Sequence, residues 1–576
     1  MSKPSFLSKS ISALVLVALA LGQQAAQAAV WRPAALPGSD AQVSLTLDDG
    51  WRFYGGTSSI NQMNENHTVW GEMCEDWSGS CEVTDKLNAV ANLVLPVCEA
   101  DTQINCLESF AVGTTSSALV NAKLSRQVGG YSLSPVASKG IPKGGLPGIW
   151  EAETQNAAGS NLYVVNPRVV MSVKNGVVRF EDFQISVWPI SNRTDATKTP
   201  VYFRPTDSVR KASVEGMWDV QCAVVDTGYC GQIEDFAAGT VVKVNVRLSN
   251  QITGWLKGRV TAPEISSTPL SGGANRYEIQ AQPVTVPKLE AKLSKTDPEF
   301  TSADGRTTIG TSNGEYHVLR ADSPTGIQFV NKLAKAANDT AAATETLWYL
   351  ASISNSQELQ RCTPTAGQFI GLVTTNAMAF DGGVPKFASG YFSYNLAGLH
   401  FAPDGKTENL GSYDFAIQAD VARCLYGFTK APISATITVT GTSGEQKVAV
   451  TQVRESNNWL SLSAQGFTFS ENQIKVKINQ ELPLLPKTVS IAKFSGSTAK
   501  LAAAQSRELR AALTTTTKTA KCTVYYFASK DKKLAQARAS AICAAVKKLN
   551  PAILTSAESK LTKQKSSSGK VSITLN

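Results

Sequence analysis

Histidine is almost missing: His67, His317 and His400 are the three in a chain of 576 residues. A Ser-His-Asp hydrolase would have to be built on one of them. His317 and His400 fall in strand-like runs, His67 falls in a polar loop, and neither G-x-S-x-G nor H-E-x-x-H occurs. Cys-x-x-Cys is also absent, so with so few histidines no zinc-ligand spacing can be assembled. After residue 21 no apolar run is long enough to cross a bilayer, and the chain closes without a hydrophobic tail. No internal repeat is evident. These absences point away from triad hydrolases, zinc enzymes and helical membrane proteins, and no cofactor motif replaces them.

A short apolar run is present at the start. Lys3 and Lys9 precede Ile11–Leu21, and Ala26-Gln27-Ala28 follows as a small-x-small cleavage pattern. Residues 1–28 therefore read as a secretory signal peptide, with a mature chain beginning at Ala29. An exported setting makes sense of ten cysteines. They fall into neighbouring couples: Cys74 with Cys81, Cys98 with Cys106, Cys222 with Cys230, Cys362 with Cys424, and Cys522 with Cys543. An even number in an exported chain predicts disulfides, and nearest-neighbour pairing is the economical expectation. Hydrophobic residues make up 43%, enough for packed cores and too many for a disordered chain.

Acidic residues are scarce at one end. From Pro486 to Asn576 there are 17 Lys and Arg against three Asp and Glu, a net +14. The whole chain is +9 and the leader contributes +2, which leaves −7 on residues 29–485. A mildly acidic body thus precedes a strongly basic terminal domain, and that asymmetry predicts an anionic partner for the basic end. Export makes nucleic acid an improbable natural partner. Lys530, Lys532, Lys533, Arg538, Lys547, Lys548, Lys560, Lys563 and Lys565 would dress one compact unit.

The pattern along the chain is mostly that of strands. In residues 29–260 Val169, Met171 and Val173 alternate up to the turn Asn175-Gly176, and Phe183, Ile185 and Val187 alternate after it, which predicts a hairpin in a β-sandwich. Residues 261–300 hold five prolines and Ser271-Gly272-Gly273, which predicts a linker or crossing segment. Residues 301–480 predict a second β-rich domain with one helix. Ser323 is its N-cap, Pro324 its first residue, and Ile327, Val330 and Leu333 its apolar stripe. Residues 431–480 alone predict immunoglobulin-like strands. Residues 486–576 alternate strand and helix in the order β-α-β-α-β-β, which predicts an α/β sandwich. Its second helix would bury Leu534, Ala537, Ala541, Ala545 and Leu549, with Ile542 and Val546 beside them. The fold class expected is therefore mainly β and multidomain, with a C-terminal α/β domain.

The terminal segment Lys487–Leu575 resembles the OmpA-like peptidoglycan-binding domain. The resemblance rests on Phe494-Ser495-Gly496-Ser497, the helix Leu501–Leu513, the strand Thr523–Phe527, Leu534-Ala535-Gln536-Ala537-Arg538-Ala539, and the closing Gly569-Lys570-Val571-Ser572-Ile573. It implies that Arg538 stands at the arginine that holds diaminopimelate. The chain departs from the family at the partner aspartate, where Tyr526-Phe527-Ala528-Ser529 stands, and at the closing arginine pair, where Gly569-Lys570 stands. The body is similar to large uncharacterised secreted proteins of actinobacteria, through Asp420–Phe428, Cys98–Ser109 and Gly144-Gly145-Leu146-Pro147 with Trp150. That likeness implies an envelope or extracellular setting and carries no catalytic residue.

The expectation is a secreted, non-enzymatic envelope protein without a metal. Its basic domain would bind peptidoglycan or another anionic wall polymer through Arg538, Lys530, Lys532 and Lys533. The competing expectation is a secreted glycan-active hydrolase using Asp48, Asp49, Glu72 and Glu75, since paired carboxylates are what glycoside cleavage requires. Trp51, Trp70 and Trp77 lie near those carboxylates and would serve as sugar platforms or as core.

Overall fold

Asn175 and Gly176 both adopt positive φ, 49° and 72°, and close a two-residue turn between Lys174 and Val177. That backbone twist matches the twist of antiparallel strands, which is why Asn-Gly is favoured there. The hairpin it joins is the longest pairing in the body. The computed structural model describes residues 42–49, 58–63, 70–74, 76–114, 118–128, 132–195, 221–294, 316–353, 362, 367–428, 433–441, 444–447, 450–469, 472–480, 487–513 and 519–575. The expected leader lies outside them. Strand accounts for 53% and helix for 15%, so the chain is mainly β. It divides into two units, residues 1–430 with 434–479, and residues 480–576 with 431–433.

In the first unit β1 is Gln42–Asp48 and β2 is Cys106–Gly113. The long hairpin is β3 (Leu162–Lys174) and β4 (Val177–Thr194). Then come β5 (Val241–Leu248), β6 (Gly254–Pro269), β7 (Asn275–Lys288), β8 (Tyr349–Ile353) and β9 (Phe369–Thr375). The unit also holds β10 (Leu410–Gln418), β11 (Val450–Ser456) and β12 (Trp459–Thr468). Pairing runs β3-β4-β8-β6-β9-β10-β12-β11 across one sheet and β2-β5-β7-β6 across another. Phe183, Val187, Leu256, Leu350 and Leu372 from the first meet Phe110, Val244, Val246, Tyr277 and Ile279 from the second in one apolar core. β6 belongs to both sheets. It pairs β8 and β9 up to Arg259 and β7 from Val260, and its register against β7 breaks just after the hand-over, between Thr261 and Glu264.

The stretch 261–294, part of the expected linker or crossing segment 261–300, is largely strand. It supplies the shared strand β6, β7, and the strand Glu290–Ser294 that pairs with β1. Two of its prolines sit where a missing N–H is tolerated: Pro263 inside the bulge and Pro269 at the strand end. Residues 431–480 are not a self-contained immunoglobulin-like set. Ile433–Gly441 and Asn472–Gln480 join a six-stranded sheet with Tyr391–Ala397, whereas β11 and β12 extend the sheet of β10. The expected helix is present as α1, Pro324–Leu333. The Ser323 hydroxyl accepts the Gly326 N–H at 3.0 Å, and Phe329, Val330 and Leu333 are buried. All five cysteine couples are disulfides.

Alternation on β6 puts Leu256 and Val260 in the core and Lys257 and Arg259 on the opposite face, beneath a layer holding β1 and α1. Those cations are paired. Arg259, 0% exposed, bonds Asp49, 1% exposed, through Nε and Nη2, and donates to the carbonyls of Thr375, Ala377 and Met378. Lys257 meets Asp322 at 2.7 Å, and Arg320 bonds the same carboxylate at 2.9 Å. A buried charge with fewer partners would be costly, and here every one is matched.

The second unit is built from β13 (Lys487–Ile491), α2 (Ala503–Ala512), β14 (Thr519–Tyr526), α3 (Lys532–Leu549), β15 (Leu554–Leu561) and β16 (Val571–Leu575). Sheet order is β13-β16-β14-β15, with β14 and β15 parallel. The α3 face differs from the expected one: Ala535, Arg538, Ala539, Ile542, Cys543 and Val546 are buried, whereas Ala537 and Leu549 are exposed. Alanine fits either side of a helix, so the face is set by Ile542, Val546 and the disulfide from Cys543 to Cys522 on β14.

Candidate functional site

The register of the terminal sheet gathers its loops at one end. β14 and β15 run in parallel from Thr519↔Leu554 to Tyr526↔Leu561, so their carboxyl ends emerge together. β16 is antiparallel to β14 and starts at that end, and β13 finishes there, with Ile491 opposite Val571. Segments 492–502, 527–531 and 562–570 therefore converge. Hydrogen bonds tie them: Gly569 N–H to Tyr525 O at 2.7 Å, Thr562 N–H to Tyr526 O at 2.8 Å, and Lys493 Nζ to Ser566 O at 3.3 Å.

Those segments and the first turn of α3 carry exposed Lys493, Lys500, Lys530, Lys532, Lys533, Lys563, Lys565 and Lys570. Among the described residues of this unit the one ion pair is Lys521 with Glu558 at 2.9 Å, on the strands. The contact with Lys521, then Thr523, holds the Glu558 carboxyl below its usual range. The carboxylates near the rim are Asp531 and Glu508, and Glu508 accepts the Ala492 N–H at 2.6 Å. Phe527 and Leu561 stand on the same rim at 43% and 62% exposure.

Placement on α3 separates two kinds of lysine. Lys547 and Lys548 are in its last turn, where the helix dipole favours a cation. Lys532 and Lys533 are in its first turn, where the dipole opposes one. The first turn itself carries no acidic residue, and Asp531 stands beside them at the N-cap without a side-chain cap bond.

Arg538 stands apart from these lysines. It is 7% exposed, donates from Nε to Thr498 O at 2.9 Å and from Nη2 to Gly496 O, and lies 5.0 Å over the Phe494 ring. Burial lowers its pKa, while Asp531 acts in the opposite direction. It clamps the 494–498 loop onto α3 rather than presenting a solvent-facing charge. Lys530, Lys532 and Lys533 are exposed chain neighbours at the start of α3, and the strand register brings the loops carrying Lys493, Lys500, Lys563, Lys565 and Lys570 to the same end of the sheet.

The carboxylates of the hydrolase expectation are not brought together by anything described. Asp49 is locked to Arg259, the side chains of Asp48 and Glu72 lie outside the described residues, and so does Glu75. Asp76 accepts the Ser78 hydroxyl at the surface. Trp77 packs against the core, and Trp51 and the Trp70 side chain lie outside the described residues. His400 pairs with Asp339 at 2.8 Å on the surface, whereas His67 and the His317 side chain fall outside the described residues. Among the described residues no group of three His, Cys, Asp or Glu side chains could hold a metal, and no helix is long and apolar enough to cross a membrane. Compared with known families and curated proteins, the chain matches no family model and no curated sequence.

Proposed function

We propose that this chain is an exported envelope or surface protein whose basic terminal unit holds it against anionic cell-wall material. The observation that carries this reading is the convergence on one rim of eight exposed lysines that make no ion pair among the described residues, two of them placed against the dipole of α3. Clustered cations of this kind attract a polyanion over roughly a Debye length, about 10 Å at 0.1 M salt. Five disulfides and the leader-like start support an exported setting. The order of elements in the terminal unit supports reading it as a degenerate OmpA-like domain. In that domain, attachment to peptidoglycan or another wall polymer rests on the lysine rim, because Arg538 is engaged by its own loop.

The test is co-sedimentation of the full chain with purified sacculi across a salt series. Binding at low salt that falls as salt rises, and that weakens in the triple variant Lys530→Gln/Lys532→Gln/Lys533→Gln, is the expected result. Salt-resistant binding that survives the triple variant, or no binding at low salt, overturns the reading.

A further inference from the structure

Where β6 leaves one sheet for the other, the two sheets part and a groove of 430 Å³ opens. That size is in the ordinary range for a small-ligand site, about 300–1,000 Å³. One wall is the outer face of the second sheet, where Glu264 and Lys243 stand either side of Gln280, and Ser266 stands opposite Glu278. The other wall is β12, whose polar face offers Ser461, Ser463 and Gln465.

The corner between the walls is held in a costly conformation. Ala262 has φ +49°, a left-handed geometry that L residues other than Gly avoid by roughly 1–2 kcal/mol. Asp414, 2% exposed, holds it: its Oδ2 accepts the Ala262 N–H at 3.4 Å and the Thr261 hydroxyl at 3.1 Å, and Ser463 and Gln465 also bond its carboxyl. Ala262 lines the groove, and strained backbone of this kind clusters at functional sites, which points to a use for the groove.

The lining states what would fit. Gln280, Gln282, Gln465, Asn457, Ser461 and Ser463 can each donate and accept. An anion would call for donors alone and a cation for acceptors alone. The charged residues are engaged within the protein: Lys243 bonds Glu278 at 2.7 Å, Arg454 bonds Glu264, and Asp414 is buried at the corner beneath the bonds from Thr261, Ala262, Ser463 and Gln465. A saccharide is a ligand of this kind, neutral and carrying many hydroxyls that both donate and accept in a small volume. We propose that this groove binds a short neutral glycan. This site lies wholly in the first unit and is independent of the lysine rim.

The experiment is saturation-transfer NMR on the full chain with maltotriose, cellobiose and di-N-acetylchitobiose, one at a time. A Gly-Ser peptide and a sulfated disaccharide serve as the other arms. The expected result is transfer to at least one neutral sugar, abolished by Ser461→Trp, which fills the groove, and reduced several-fold by Gln280→Ala. Far-UV circular dichroism and hydrogen exchange of β10 check that both variants keep the fold. No transfer to any of the sugars overturns the proposal, as does transfer unchanged in Ser461→Trp, or transfer confined to the peptide or the sulfated sugar. Loss of sacculus binding in the lysine variants would leave this result untouched, so the two readings fail separately.

Discussion

Asp414 gives the corner of the groove a defined response to pH. Burial raises its carboxyl from 3.8 to about 6, against the lowering pull of Ser463, Thr261, Ala262 and Gln465. In the unfolded chain the group loses its proton near 3.8, whereas in the folded chain it keeps it until about 6. Between those values the folded state binds more protons, so stability falls as pH rises. The contribution is fully present below about pH 4 and is lost as pH climbs through 6. A shift of roughly two units corresponds to about 3 kcal/mol at 1.36 kcal/mol per unit, or about a hundredfold in a local opening constant. Hydrogen exchange of peptides spanning β10 and the Thr261–Glu264 bulge, corrected for intrinsic rates, measures that constant. Protection in the native chain should drop by about a hundredfold from pH 4 to pH 7. In Asp414→Asn, which keeps a carbonyl acceptor and cannot ionise, the profile should be flat. Matching profiles in the two proteins, or protection that rises with pH in the native one, would refute the reasoning.

Two other perturbations follow from features already described. Asp49→Ala leaves the Arg259 guanidinium buried without its carboxylate, and should cost about 3–5 kcal/mol, read as a shift in the urea midpoint of the first unit. Lys532→Glu with Lys533→Glu places acids where the α3 dipole favours them, and should stabilise the terminal unit by about 0.3–1 kcal/mol per site while removing sacculus binding; a destabilised unit would show that these lysines serve the fold.

Local grammar was readable from the chain alone. Asn175-Gly176 dictated its turn, Ser323-Pro324 dictated a helix start, and the neighbouring cysteines paired as spacing suggested. Long-range choices were not. Prolines 263 and 269 look like punctuation, yet one occupies a bulge and the other a strand end, and only the pairing partners reveal this. The buried face of α3 was hidden because alanines line both sides, and Arg538 reads as a surface charge until its carbonyl partners come into place. Asp414 and Thr261 are 153 residues apart, so no window of sequence contains the groove corner. The lysine rim was half legible: Lys530, Lys532 and Lys533 are neighbours in the chain, but Lys493 and Lys570 reach them only through antiparallel pairing.

The double membership of β6 has a practical outcome. A cut between residues 254 and 269 would break a strand that lies between β8 and β9 in one sheet and at the edge of the other, and neither resulting half could complete its interior. Fragments expressed on either side of the proline-rich stretch should precipitate separately and regain solubility when refolded together. A protease meeting the intact first unit would find one all-or-nothing body rather than two modules to be trimmed in turn.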